Sequence, residues 1–258
     1  MVRTARQQRL IEHVNRVGVA SIDQLSAEFG VSGMTIRRDI AQLARGGLVV
    51  QVPGGAQRTD PAAKFHEDHL RTRLRMNVVA KQRLAEKAAS LIEPGDTLFL
   101  DGSTTIICLA RVLAQADRDI TVVTNSVLVE LELAEARNTR LIGLGGVFDR
   151  ETFSLCPVDD AESVLGFHVK KAFLSCTGLV IPEGTFENSV SNLTVKRKVS
   201  RSAEMICLLA DGGKLGRRAL NRVLDIEDID VLITQAPLRS EWAEALAAKG
   251  VRVHAVEV

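Results

Sequence analysis

The sequence predicts an α/β protein: a small N-terminal winged helix-turn-helix domain followed by a larger, mainly parallel α/β domain. Near the N-terminus, short amphipathic helices are separated by a turn containing glycine, and a strand and a turn follow them. Further along, short apolar runs alternate with helical patterns, as in a parallel sheet covered by helices. We predict a DNA-binding domain over residues 1–58, a linker over 59–76 and a ligand-binding domain over 77–258.

The composition indicates a globular protein with a basic head. Of 258 residues, 46% are hydrophobic and 25% are charged. The net charge of +1 hides an asymmetry, because residues 1–58 carry eight Arg and no Lys against four acids. This surplus of positive charge at one end favours a domain that contacts DNA.

Several classes of protein are not expected from this sequence. No apolar signal region opens the chain, and no stretch reaches the roughly 18 apolar residues of a membrane span, so we expect a cytoplasmic protein without a membrane contact. Cys108, Cys156, Cys176 and Cys207 show neither zinc nor redox spacing and are expected as reduced thiols. The two histidines of 66–69 have no third ligand, so a solvated linker is favoured over a metal site. We expect no cofactor.

Residues 31–43 have the pattern of a recognition helix. Ser32 is a suitable N-cap, and Ile36, Ile40 and Leu43 form one apolar stripe at helical spacing. The remaining faces carry side chains that reach bases and phosphates. From this helix we predict DNA contacts by Ser32, Met34, Thr35, Arg37, Arg38, Gln42 and Arg45.

The neighbouring residues complete a winged helix-turn-helix pattern. Ser21 and Gln24 form a capping box, and the helix that they start stops at Gly30. An earlier helix is expected to pack inward through Leu10, Ile11, Val14 and Val17. Residues 48–52 are predicted as a strand and 53–55 as a turn, which together form a wing whose Gly54 and Gly55 approach DNA.

The remainder of the chain alternates predicted strands and helices. A long helix is predicted from Val78 to Leu91, with later ones at 105–113, 127–135 and 189–202. The predicted strands are 97–100, 120–123, 140–144, 171–175, 205–210, 231–233 and 251–255. Their continuously apolar interiors favour a sheet that is buried on both faces.

Small, polar or glycine-rich residues follow five of these strands, at 101–105, 124–126, 145–146, 176–178 and 211–214. In open α/β sheets, ligands bind at the carboxyl ends of the strands. Ser103, Thr104 and Thr105 follow Gly102 at a helix start, and their N–H and hydroxyl groups suit an anion such as phosphate. Ordinary helix caps are the alternative for any one segment, but five together favour one binding crevice.

Residues 32–43, with Thr35-Ile36-Arg37-Arg38-Asp39 inside them, closely resemble the signature of the DeoR-type bacterial transcriptional regulators. The resemblance continues at 54–56, 101–105, 123–125, 145–146, 172–178, 195–197 and 211–214. It implies a sensor domain similar in fold to ribose-5-phosphate isomerase that binds phosphorylated sugars. The chain departs from the family pattern at Gln51 and Pro53 in the wing, at Cys156 (commonly Gly) and at Gln235 (commonly Asp).

The resemblance implies that the Ser-Thr-Thr loop holds the phosphate, with Asn125, Lys196 and Lys214 as polar partners. Asp101 and Asp211 are expected to accept hydrogen bonds from sugar hydroxyls. The complete predicted effector site consists of Asp101, Gly102, Ser103, Thr104, Thr105, Asn125, Gly145, Gly146, Thr177, Gly178, Lys196, Asp211 and Lys214.

The leading interpretation is a transcriptional regulator, expected to be a repressor of sugar-metabolism genes, whose affinity for a double-stranded DNA operator is controlled by a phosphorylated sugar. A homo-oligomer, dimer or tetramer, is expected, because one small head makes few contacts. The alternative is a sugar-phosphate isomerase or lactonase fused to a DNA-binding head, using Asp101, Asp211 and Lys214. A third interpretation is an architectural DNA-binding protein without an effector.

Overall fold

The computed structural model describes residues 5–17, 19–45, 48–52, 54–58, 70–150, 152–157 and 167–257. The chain divides into two compact units, residues 1–68 and 69–258. The first is a winged helix-turn-helix unit and the second is a parallel α/β unit, so the predicted fold class is confirmed. The predicted domain boundaries stay a prediction, and the histidine-containing part of the predicted linker lies outside the described residues.

The first unit consists of three helices and a small antiparallel sheet, as far as it is described. The helices are α1 (Ala5–Val17), α2 (Ile22–Phe29) and α3 (Gly33–Arg45), and the strands are β1 (Val19–Ser21), β2 (Val49–Val52) and β3 (Gly55–Arg58). The sheet order is β1-β3-β2. Strand β1 was not predicted, because three residues are too few to show an alternating pattern.

The local sequence explains the helix-turn-helix. Ser21 and Gln24 form both bonds of the predicted capping box, and Gly30 ends α2 in the left-handed conformation with φ +64°. The expected apolar residues fill the core: Leu10, Ile11, Val14, Leu25, Ile36, Ile40 and Leu43 are buried. The prediction for Val17 was wrong. It is the last residue of α1, beyond the packed turns, and its side chain is 49% exposed.

The second unit carries the larger sheet. Its helices are α4 (Leu70–Arg75), α5 (Val78–Ala89), α6 (Thr104–Ala116), α7 (Val127–Leu133), α8 (Val190–Ser202) and α9 (Ser240–Ala248). Its strands are β4 (Thr97–Leu100), β5 (Ile120–Thr124), β6 (Thr139–Gly143), β7 (Val147–Asp149), β8 (Ser154–Cys156), β9 (Val169–Ser175), β10 (Gly178–Val180), β11 (Gly184–Glu187), β12 (Ala203–Ala210), β13 (Asn221–Asp225), β14 (Val231–Gln235) and β15 (Arg252–Val256).

Seven strands form a parallel sheet in the order β15-β14-β12-β9-β4-β5-β6. These are the seven strands that the sequence predicts. An apolar core lies on each face. One core includes Leu84 and Ile107 from helices α5 and α6, and the other includes Val195 and Leu246 from α8 and α9. Burial on both faces explains why the strand interiors are continuously apolar.

Two smaller sheets were not predicted. Strands β10, β11 and β13 pair antiparallel, and β7 and β8 form a hairpin that contacts the residues following β5. Helix α4 lies within the predicted linker, but its Leu70 is buried in the second unit. In the described parts of the chain, no helix is both long and apolar enough to cross a membrane.

Candidate functional site

The outer surface of α3 presents polar and basic side chains. Arg37, Arg38 and Arg45 are exposed, and Met34 is 71% exposed. Ser32 accepts a hydrogen bond from the backbone N–H of Thr35 at 3.3 Å, so the predicted N-cap is present. This surface has the charge and the exposure that a recognition helix requires.

Asp39 lies on the inner side of α3 and was not predicted to have a role. Its side chain is 4% exposed and accepts hydrogen bonds from Arg6 Nε at 2.7 Å and from Gln7 Nε2 at 3.0 Å. The bond to Asp39 raises the pKa of Arg6. Gln7 Nε2 also donates to Gln42 Oε1 at 2.9 Å, so the predicted DNA ligand Gln42 is already engaged by α1. Asp39 therefore fixes α3 on α1. The sequence offered one signal of this role: Asp39 is an acid close to the apolar stripe of Ile36, Ile40 and Leu43.

A cleft of about 430 Å³ separates α3 from the wing. It is lined by Ile22, Arg37, Ile40, Gln51, Val52, Gly54 and Gly55. A Cβ atom on Gly55 would lie 2.3 Å from the Ala20 carbonyl oxygen, so only glycine lets β3 approach β1 this closely. The two predicted wing glycines thus shape this cleft, and Gln51 is exposed beside it. Pro53 lies outside the described residues.

In the second unit, Lys214 joins three of the predicted strand ends. Its Nζ donates to Ser175 Oγ at 2.6 Å, at the end of β9, and to Thr105 Oγ1 at 3.3 Å, at the start of α6. Asp211, which follows β12, has a carboxylate oxygen 3.9 Å from the same ammonium. Ser175 was not singled out from the sequence, because one serine closing an apolar strand is a common feature.

The first turn of α6 provides donors beside Lys214. Ser103 is the N-cap and accepts from the N–H of Ile106 at 3.3 Å. No hydrogen bond among the described residues engages the backbone N–H groups of Thr104 and Thr105. A Cβ on Gly102 would lie 2.2 Å from Ser154 Oγ, so this glycine lets the loop pack on β8. The arrangement can bind an anion at the positive end of the helix dipole.

Asp101 and Lys196 lie beneath this turn and are saturated with partners. Asp101 accepts from the N–H groups of Ser103 and Ser175, each at 2.8 Å, and its carboxylate lies 3.1 Å from Lys196 Nζ. Lys196 also donates to the Ser175 carbonyl at 2.6 Å and to the carboxylate of Glu187. Burial lowers the pKa of Lys196, but the two carboxylates outweigh it and raise that pKa above its ordinary value.

Glu187 completes this buried cluster and was not predicted. Its second oxygen accepts from Thr177 Oγ1 at 2.7 Å, which places the predicted Thr177 in the same network. Glu187 belongs to the short strand β11, for which the sequence gives no pattern. The cluster holds the ends of β4 and β9 together and leaves little of Asp101 or Lys196 for a ligand.

Helix α5 contributes two further residues that the sequence did not indicate. Asn77 Nδ2 donates to Asp211 Oδ1 at 3.2 Å. Lys81 is 4% exposed and donates to the carbonyl of Arg73 at the end of α4. Burial, and then the charge of Lys214, lower the pKa of Lys81 to about 8. Asn77 precedes Asp211 by 134 residues, so only the folded chain shows that they meet.

The ends of β5 and β6 pack mainly against the β7–β8 hairpin. Asn125 Nδ2 donates to the Leu155 carbonyl at 3.2 Å, and Gly146 faces the Cys156 carbonyl. Gly145 is exposed, and Gly178 lies against the carbonyl of Arg217. The contacts described here therefore join the predicted residues of β4, β9 and β12 directly, whereas those of β5 and β6 meet the hairpin.

The turn that carries Lys214 is held from two sides. Gln235 Oε1, at the end of β14, accepts from the N–H of Gly212 at 2.6 Å. Gly216, with φ +74°, lies under the ring of Trp242, and the Arg239 guanidinium stacks 4.7 Å from the centre of that ring. The turn is thus fixed by β14 and by α9, both of which follow it in sequence.

The fold and these two surfaces define a class: a winged helix-turn-helix transcriptional regulator with an α/β sensor domain. A DeoR-like helix-turn-helix domain model matches residues 6–62, and a DeoR C terminal sensor domain model matches residues 76–236. The chain belongs to the DeoR family of transcriptional regulators. The predicted resemblance is thereby confirmed.

Curated relatives match along nearly the whole chain. An uncharacterized HTH-type transcriptional regulator, YulB, of Bacillus subtilis is 32% identical over 99% of this chain and 98% of its own. A putative aga operon transcriptional repressor of Escherichia coli O157:H7 is 29% identical, covering 96% of this chain and 92% of its own. An L-fucose operon activator of Haemophilus influenzae is 28% identical, covering 90% and 92%.

Solved structures share only a loose likeness. Ribose 5-phosphate isomerase A from Methanocaldococcus jannaschii has a TM-score of 0.41 at 15% identity, covering 54% of this chain and 55% of its own. The eIF2B beta subunit from Chaetomium thermophilum has a TM-score of 0.45 at 15% identity, covering 88% and 76%. Neither likeness bears on activity.

Proposed function

We propose that this regulator represses sugar-metabolism genes and that a phosphorylated sugar, bound at the strand ends of the second unit, changes its affinity for operator DNA. The observation that carries the proposal is the meeting of Lys81, Lys214 and the N-terminus of α6 at one end of the sheet. The names of two relatives, an aga operon repressor and an L-fucose operon activator, support sugar-linked genes. Such a protein acts in the cytoplasm, where its operator lies.

The phosphate is proposed to sit on the first turn of α6. Thr104 and Thr105 are buried in the first turn of α6, where their backbone N–H groups have no acceptor within the helix, and the Thr105 hydroxyl already meets Lys214. Lys81 is proposed as a second ammonium, because it lies one helical turn after Asn77, which bonds to Asp211, and the charge of Lys214 acts on it. Asp101 and Lys196 of the predicted site are assigned to holding the loop, since their hydrogen-bonding groups are occupied.

The sugar is proposed to extend over β9 toward β12. Asp211 lies there with one oxygen bonded to Gly213 N and Asn77, and its other oxygen 3.9 Å from Lys214. A carboxylate can only accept hydrogen bonds, so it matches hydroxyl groups and disfavours a phosphate at the same place. The ligand is thereby oriented with its phosphate toward α6.

We propose binding without turnover. Isomerisation of a sugar phosphate needs a carboxylate free to remove a proton. Asp101 and Glu187 are not free, since both oxygens of each are bonded. Among the described residues, Asp211 keeps one oxygen without a hydrogen bond, 3.9 Å from Lys214, and we assign it to accept from sugar hydroxyls, so it is the candidate base that the assay tests. We expect no conversion when the purified protein is assayed with pentose and hexose phosphates. Measurable turnover would favour the enzymatic alternative.

The test of the phosphate site is a charge placed on α6. Thr104→Glu should exclude a phosphate by charge repulsion and leave operator affinity without effector intact. Thr104→Gln has the shape of the Glu variant without its charge, so it should keep much of the change in operator affinity on effector binding. Operator complexes are titrated with sugar phosphates and with the unphosphorylated sugars. Wild type should lose operator affinity by about 5- to 150-fold with a phosphorylated sugar, the usual range of such coupling. An unchanged response in Thr104→Glu would place the phosphate elsewhere.

We propose that the protein binds DNA as a homo-oligomer, because paired heads on repeated half-sites supply the contacts that one head lacks. The second unit is the proposed site of the contact between copies. Light scattering at micromolar protein, with and without DNA, measures this directly. A monomer under both conditions would contradict it.

A further inference from the structure

Gln235 presents a fixed amide group beside the proposed sugar site. Its Oε1 accepts the Gly212 N–H at 2.6 Å. A backbone N–H can only donate, so the amide oxygen must face Gly212, and the NH2 group faces the other way. Nε2 has no hydrogen-bond partner among the residues that the structure describes. Gln235 is half-buried, which leaves that NH2 group open to a ligand.

The position of this amide matches the far end of a ligand whose phosphate sits on α6. Gln235 ends β14, three strands from β4 in the order β14-β12-β9-β4, and its side chain reaches back to Gly212 at the end of β12. The amide therefore lies two to three strand spacings, roughly 9–14 Å, from the strand that leads into α6. That distance is comparable to the length of a phosphorylated five- or six-carbon chain. Lys214, two residues after Gly212, contacts Thr105 of α6, so this turn and the helix border one space.

The local charges make the amide's neutrality important. Six charged side chains form the described site and balance one another: Lys81, Lys196 and Lys214 against Asp101, Glu187 and Asp211. An acid in place of Gln235 would add an uncompensated negative charge and could only accept hydrogen bonds. The amide adds no charge and donates two.

We propose that Gln235 is a specificity-determining residue that selects an effector with a hydrogen-bond acceptor, above all a carboxylate, at the end remote from its phosphate. The effector class is then a phosphorylated sugar acid. The amide NH2 would donate to the carboxylate, while Asp211 accepts from hydroxyl groups between the two anionic ends. This inference rests on the proposed function and names the ligand class of the same site.

The experiment compares two matched pairs of probes, and the members of each pair have the same number of carbons and one phosphate: 6-phosphogluconate with glucose 6-phosphate, and 5-phosphoribonate with ribose 5-phosphate. Calorimetry and operator release are measured for each. In whichever pair binds, the acid should bind wild type at least about tenfold more tightly, as expected for a hydrogen bond to a charged group.

Gln235→Glu is the decisive variant. It keeps an oxygen for Gly212 N–H, but replaces the donor by a second acceptor and adds a charge. We expect the preference for the acid to disappear or reverse, and operator affinity without probes is measured for both proteins as the reference. Equal or tighter binding of the non-acid member by wild type would overturn the inference alone. If no member of any pair bound or released operator, the proposed function would fail with it.

Discussion

Lys81 is a lysine in surroundings that disfavour its charge. Burial comes first and the neighbouring Lys214 second among the causes that bring its pKa down from 10.5 to about 8, with Arg73 adding to them; Asp211 and Cys108 act in the opposite direction. A bound phosphate would reverse this balance, because it pairs with the ammonium form. Effector binding should therefore be accompanied by proton uptake when the solution is above pH 8.

We predict that effector affinity falls as the pH rises through about 8, by up to about tenfold per pH unit, because Lys81 loses its proton there. Lys81→Met should bind more weakly at pH 7 and lose this dependence. Calorimetry from pH 6.5 to pH 9.5, roughly 1.5 units on either side of that pKa, measures the effector affinity of both proteins and its change with pH. A pH dependence that persists in the variant would exclude Lys81 as its source.

The same lysine affects stability with the opposite trend. In the unfolded chain Lys81 keeps its proton up to its ordinary pKa of 10.5, whereas the folded chain releases it near 8. The unfolded state therefore binds more protons between these values, and the contribution of Lys81 to the free energy of unfolding rises with pH across that window. Affinity for the effector and stability thus change in opposite directions as the pH rises.

At the scale of elements, α3 combines two separable duties. Its outer arginines are exposed, whereas Asp39 holds its inner side to Arg6 and Gln7 of α1. We predict that the double variant Arg37→Ala, Arg38→Ala lowers operator affinity by about 1–3 kcal/mol for a base contact and reduces the salt slope by about one for each phosphate contact. Its free energy of unfolding should be close to wild type.

Asp39→Ala should behave differently, because it removes hydrogen bonds to a buried charged group. We expect a loss of about 1.5–3 kcal/mol in the free energy of unfolding, with weaker operator binding as a consequence. Asp39→Asn keeps one acceptor for Gln7 and should lose less. Urea unfolding and operator titration of these variants distinguish a residue that holds α3 on α1 from one that contacts DNA. Equal stability of wild type and Asp39→Ala would contradict the role assigned to Asp39.

The elements differ in how far the sequence could predict them. The central strands of the parallel sheet were predicted because burial on both faces leaves unbroken apolar runs such as 206–210, and the partly exposed edge strands β6 and β15 were predicted from shorter apolar stretches. Strands β1, β7, β8 and β10 are three residues long, too short for a pattern, and the four residues of β11 include a single hydrophobic one. Strands β1 and β11 also pair with strands distant in sequence, β3 and β13.

The site shows the same division. Thr104 and Thr105 were predicted, because a glycine and hydroxyl residues at a helix start are a local signal. Lys81 and Glu187 were not, since each looks like an ordinary charged residue until the fold brings it to Lys214 or Lys196. Gln235 was noticed in the sequence only as a departure from the family pattern, and its bond to Gly212 required the structure.

For the whole molecule, the β7–β8 hairpin is a candidate contact between copies. Leu131, Val147, Phe148 and Phe153 are exposed in this region of the second unit, and the two phenyl rings meet edge to face at 5.6 Å. Exposed apolar groups of this kind are typical of protein interfaces. Because paired heads are expected on DNA, a second copy of the chain is the occupant that we propose.

We predict that Phe148→Ser shifts the protein toward monomer in light scattering and weakens operator binding, because each head then binds alone. The free energy of unfolding of the monomer, measured with urea, should change little, since the Phe148 side chain is 43% exposed. Val50→Ser, at a similarly exposed valine of the first unit, is the matched control and should leave the oligomer intact. An unchanged oligomer in Phe148→Ser would place the contact elsewhere.

The packing of Trp242 on the turn that carries Lys214 gives the molecule an optical property. Trp242 is the only tryptophan of a chain without tyrosine, so its indole dominates the near-ultraviolet emission of the unlabelled protein. The indole lies over Gly216 with the Arg239 cation on its face, and both neighbours influence its emission. A shift of the turn by a ligand would alter that emission, so the unmodified protein contains its own fluorescent reporter next to the site where we place the effector.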